Sequence, residues 1–143
     1  MADWRSELGG FLNDKSDAKK EDVRGSELGR FISAVVLPGF EEVARELERF
    51  GRQVTIRHAA ESAAIIVTHE GEEEMTYRVQ GRMFPVGVVP FAEIRSHERK
   101  GLRLLRSESM FRSGKPDYTL KDVTTEEIIR SFLDHYKRRV RME

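Results

Sequence analysis

The spacing of apolar positions changes along the chain, and each change marks a new element. Leu28, Phe31, Ile32, Val35 and Val36 continue in phase with Phe40, Val43, Leu47 and Phe50, the spacing of one buried helical stripe. Gly51 follows, where a helix C-terminus commonly uses a glycine. The pattern predicts one long helix from Ser26, kinked where Pro38 has no N–H to offer the carbonyl of Ala34; two helices meeting at Leu37–Pro38 are the alternative. The period then drops to two. QVTIRH (53–58) sets Val54 and Ile56 on one side, and SAAIIVT (62–68) is apolar on both sides. After the turn HEGEE, MTYRV (75–79) alternates at Met75, Tyr77 and Val79. FPVGVVPFAEIR (84–95) reads as an edge or bulged strand because of Pro85 and Pro90. LRLLRS (102–107) reads as a last strand, its Leu104–Leu105 pair breaking the alternation as a bulge would.

A helical period returns at the end. Thr124 and Glu127 have capping-box spacing, Val123 and Ile128 the spacing of a hydrophobic staple, and Ile128, Ile129, Phe132, Leu133, Tyr136 and Val140 form the stripe behind them. Consecutive strands with short turns imply an antiparallel meander of four to five strands, with the long N-terminal helix and the C-terminal helix packed on one face: an α+β fold. Ile65 and Ile66 then point to opposite faces, as do Val88 and Val89. The sheet's second face therefore carries apolar side chains that need a cover.

A candidate cover precedes the domain. Trp4, Leu8, Phe11 and Leu12 fall on one helical stripe, weakened by Gly9 and Gly10, each of which costs about 1 kcal/mol against alanine in a helix interior. Residues 13–25 have the polar, charged composition of a tether, about 20 Å long as a coil. The expected division is thus an amphipathic arm with its linker over 1–25 and a single α+β domain over 26–143. RSELGGFL (5–12) returns as GSELGRFI (25–32), read as two amphipathic helices that start alike.

Composition narrows the function classes. The chain has 143 residues and no cysteine, which leaves no disulfide framework, thiol nucleophile or thiolate zinc site. The longest uncharged apolar run, MFPVGVVPFA, is well short of the roughly 20 residues of a membrane helix, and the N-terminal residues lack the apolar core of a signal peptide. The expectation is a cytoplasmic chain without membrane partners. Net charge is zero, yet residues 41–74 carry nine acidic and four basic residues, a net of minus five, and residues 95–115 seven basic and two acidic, a net of plus five.

No motif names an activity. SGK in FRSGKPDY lacks the first glycine of a phosphate loop and is followed by proline. His58, His69, His97 and His135 form no ligand pair at helical spacing; His58 and His69 would face each other across a hairpin beside Glu70, but no metal, cofactor or catalytic residue is assigned. The leading expectation is a non-enzymatic interaction module, self-association included, that binds a helix (its own arm, a second subunit's or a client's) on an apolar sheet face or groove, with Trp4, Leu8, Phe11 and Leu12 as its partner-binding residues. The alternative is a nucleic-acid-binding accessory protein in which Arg99, Lys100, Arg103, Arg106, Arg112 and Lys115 contact phosphates and Phe111 or Tyr118 stacks on a base.

Overall fold

The computed structural model describes residues 26–97, 104–112 and 117–141. Helix α1 runs from Glu27 to Arg49 and opens on Ser26, whose hydroxyl accepts from the Gly29 N–H at 3.2 Å, an N-cap bond. It continues through Pro38. The irregularity falls one turn earlier, where Ile32–Val36 widens into a π turn and the Leu37 N–H bonds the Ile32 carbonyl. A wider turn makes room for a proline ring that would otherwise crowd the carbonyl four residues back. The helix ends in a Schellman arrangement: Arg52 N–H bonds the Leu47 carbonyl, Gly51 N–H bonds that of Glu48, and Gly51 has φ +83°. Phe50, in phase with the buried stripe by sequence, is the cap residue and stands 70 % exposed.

Five strands follow in chain order: β1 (Gln53–Ala59), β2 (Ser62–His69), β3 (Glu72–Phe84), β4 (Gly87–His97) and β5 (Leu104–Met110). They form the expected antiparallel meander, β1-β2-β3-β4-β5. The β2–β3 hairpin turns on Glu70 and Gly71, with φ 53° and 80°, the pair of positive values that a two-residue hairpin favours. Pro85 lies in the β3–β4 turn. Pro90 lies inside β4, an interior strand, but β5 pairs only from Phe91 onward. On the β5 side its missing N–H therefore removes no ladder bond. No register break occurs at Leu104–Leu105. The bulge is elsewhere: Val67 pairs with Met75 and Thr68 with Glu73, which leaves Glu74 as the extra residue.

Helix α2 (Thr125–Arg141) starts as the sequence implied, with the Glu127 N–H bonded to Thr124 Oγ1 at 3.2 Å and Val123 and Ile128 both buried. Only half of the capping box forms, because the Glu127 carboxylate pairs with Arg112 at 3.1 Å. Leu133 sits at 36 % exposure, outside the core. Both helices pack on one sheet face around the row Ile56, Ile65, Tyr77 and Ile94, and the Thr125 hydroxyl ties α2 to the π turn by donating to the Val35 carbonyl at 2.9 Å. The start of α1 is fixed over β3 at Gly81. A Cβ there would lie 2.8 Å from Val88 Cγ1 and 3.0 Å from both Leu28 Cδ atoms. Gly81→Ala should accordingly cost about 1–3 kcal/mol in urea unfolding, the scale of an overpacked core. Pairing it with Val88→Ala should recover part of that loss; no recovery would place the strain outside this contact.

Candidate functional site

Pairing register carries the alternation of all five strands onto the second sheet face. One row reads Thr55, Ile66, Thr76, Arg95, Arg106; the next reads Arg57, Ala64, Arg78, Glu93, Glu108; beyond them lie Gln80, Phe91 and Met110, then Arg82 and Val89. Over these rows five arginines meet two glutamates. Arg82 donates to Glu108 at 2.9 Å across β4, and its guanidinium lies 4.4 Å from the centre of the Phe91 ring. Glu93 Oε1 lies 3.6 Å from Arg95 Nε and 3.9 Å from Arg106 Nε. Arg57 and Arg78, on either side of Ala64, make no ion pair among the described residues.

The middle of this face is closed to solvent. Ala64 is 2 %, Thr76 7 % and Phe91 3 % exposed. None of the three belongs to the apolar cluster that the helices form with the first face. Arg82 roofs Phe91. Arg95 Nε is also sealed, and it makes no hydrogen bond among the described residues. Its nearest acceptor is Glu93 Oε1, at 3.6 Å.

No family model, curated protein or solved structure matches the chain.

Of the residues the sequence singled out, Trp4, Leu8, Phe11 and Leu12 lie outside the described residues, as do Arg99, Lys100, Arg103 and Lys115. Arg106 belongs to the second face. Arg112 is turned away from it: the guanidinium bonds Glu127 and the Asp122 carbonyl and lies 5.3 Å from the Tyr118 ring centre, holding the segment before α2. The Tyr118 hydroxyl in turn accepts from the Phe111 N–H at 3.1 Å. His58 pairs with Ala63 and His69 with Glu72, at opposite ends of β2, so these two histidines do not meet. Among the described residues no group of three or more metal-ligating side chains comes together, and no helix is long and apolar enough to cross a membrane. Ser131, Asp134 and His135 line one surface pocket, but the Ser131 hydroxyl is engaged by the Tyr77 O–H at 2.7 Å. Burial, then Arg138, depresses the His135 pKa.

Arg57, Arg78 and Arg82 are site residues outside the basic stretch of the sequence, and Arg95 lies at its start but is not among the contacts expected there. The signal is alternation: each sits at a strand position opposite in parity to the core residues beside it, as Arg78 does between Tyr77 and Val79.

Proposed function

We propose that the protein is a non-enzymatic interaction module whose second sheet face receives an acidic amphipathic helix, and that the resident occupant is the chain's own residues 3–12. The observation that carries this is the closed centre of that face, Ala64, Thr76 and Phe91, set among five arginines. The occupant fits in charge. Asp3, Glu7 and Asp14 flank the Trp4 stripe, and Arg5 is the only basic side chain among the first fourteen residues. On a helix Asp3 and Glu7 each lie about 100° around from Trp4 and Leu8, so they reach toward arginines when the stripe lies on Ala64 and Ile66. The reach is also sufficient. The described chain begins at Ser26 on the helix-covered face, beside the Gly81 end of β3, and Ala64 pairs with Arg78 three residues, about 10 Å, along that strand on the opposite face. The tether spans about 20 Å as a coil and about 40 Å fully extended, which lets it round the end of the sheet.

Trp4 is its own reporter. Its emission should be blue-shifted and unchanged over a wide dilution series, and Ile66→Asp, which sets a charge beneath the stripe, should turn it red while leaving the fold intact. A red maximum at every concentration would sink the docking, and a blue one that survives Ile66→Asp would move it off this face. A shift to red on dilution would make the occupant another copy's arm and overturn docking within one chain.

The same five arginines favour a second reading, a surface for nucleic acid. Binding of that kind loses orders of magnitude in affinity between about 50 and 200 mM salt, whereas apolar burial does not weaken with added salt. Oligonucleotide affinity that falls in this way, and that Arg57→Glu with Arg78→Glu removes, would put the second reading first.

A further inference from the structure

We propose that a cleft between the C-terminal ends of α1 and α2 binds a small amphipathic carboxylate, with its acid on Arg52 and Lys137 and its hydrocarbon body on Leu47, Phe50 and Val140. The cleft holds about 410 Å³ and is lined by these five residues and Tyr136, within the range of small-molecule sites. Its construction is that of a ligand pocket, apolar walls with a few fixed polar groups. Phe50 leaves the core where the Schellman turn ends α1 and stands 70 % exposed at the rim. An aromatic ring so placed has apolar surface to cover.

The polar end is prepositioned. Arg52 Nε donates to Glu74 at 3.3 Å and to the Tyr136 hydroxyl at 3.1 Å, and Nη1 donates to the Phe50 carbonyl. Three bonds fix the guanidinium while Nη2 donates to nothing among the described residues. Lys137, one helical residue beyond Tyr136, is exposed and makes no ion pair among them. Two cations against the single Glu74 carboxylate leave the pocket positive. The C-terminal end of a helix would ordinarily repel an anion. Here the carbonyls of Leu47, Glu48 and Phe50 already accept from Phe50, Gly51 and Arg52 donors. A monocarboxylate with a medium-length chain satisfies both ends, whereas an amine of equal length meets two cations.

Calorimetric titration of the full chain with sodium octanoate, octan-1-ol and octylamine tests this. Octanoate should bind saturably at one site, about tenfold or more tighter than the alcohol, the scale of one charge-assisted hydrogen bond, and the amine should not bind. Lys137→Glu, a surface change that spares the Arg52 network, should weaken octanoate about tenfold or more, and Val140→Trp should fill the cleft and abolish it. Absence of saturable octanoate binding would overturn the proposal. Equal affinity for the alcohol would overturn the carboxylate class, and binding that survives both variants would overturn the location. None of these readings depends on where the N-terminal arm lies.

Discussion

Tyr77→Ala is expected to lower the unfolding free energy by about 3–5 kcal/mol, the range for deleting a large buried aromatic. Tyr77 is wholly buried, and it is the side chain on which both helices converge. Phe40 of α1 meets its ring edge-on with centroids 6.0 Å apart, and Phe132 of α2 does so at 5.4 Å. Such edge-to-face pairs add about 0.5–1.5 kcal/mol each beyond the area they bury. The hydroxyl reaches through to Ser131 at 2.7 Å. Tyr77→Phe keeps the ring and both aromatic contacts and leaves a half-buried serine without its partner, a loss of about 1 kcal/mol. Equilibrium urea unfolding of the two variants separates ring from hydroxyl. If the alanine variant cost no more than the phenylalanine one, the ring would not be what joins the helices to the sheet.

The layers of this fold were legible because burial imposes a period. Val54 and Ile56 alternate, Leu28 to Leu47 recur at helical spacing, and the strand order follows from turns too short for a crossover. What was not legible depends on the third dimension. Phe50 keeps the helical phase in sequence, yet the backbone leaves the helix at that residue, so phase no longer predicts burial. The bulge at Glu74 carries no glycine or proline to announce it, whereas Leu104–Leu105 looked like a bulge and is an exposed edge strand, where alternation has no core to enforce it. The cationic face was hidden for a related reason. Its five arginines sit on four strands, and only the pairing register puts Arg57, Arg78, Arg95 and Arg106 on neighbouring rows. A count along the chain instead collected Arg112, which structure assigns to Glu127.

Glu74→Ala should cost about 2–3 kcal/mol, because it removes the buried acceptor shared by the Tyr136 hydroxyl and the part-exposed Arg52 guanidinium. The bulge turns Glu74 toward α2, where it is 6 % exposed. One carboxylate oxygen accepts from the Tyr136 O–H at 2.7 Å and from Arg52 Nε at 3.3 Å. Alanine leaves a guanidinium and a phenol facing a hole, whereas Glu74→Gln keeps an acceptor and should cost about half as much. The cluster also imposes a pH dependence. Burial and then the bond to Glu74, opposed by Arg52, push the Tyr136 pKa up from 10.0 to about 12. A group raised in the folded state contributes its stability in full below the unfolded value and loses it as pH climbs through the folded one. Stability should therefore fall between about pH 10 and 12, less steeply in Tyr136→Phe; equal slopes in urea unfolding would show that this phenol is not linked to folding. The triple variant Arg52→Met, Glu74→Leu, Tyr136→Phe should recover most of what Glu74→Ala loses, since an apolar set of similar volume owes no desolvation. Failure to recover would mean that the three groups stabilise the junction of β3 and α2 as a network, beyond the cost of leaving any one of them unpaired.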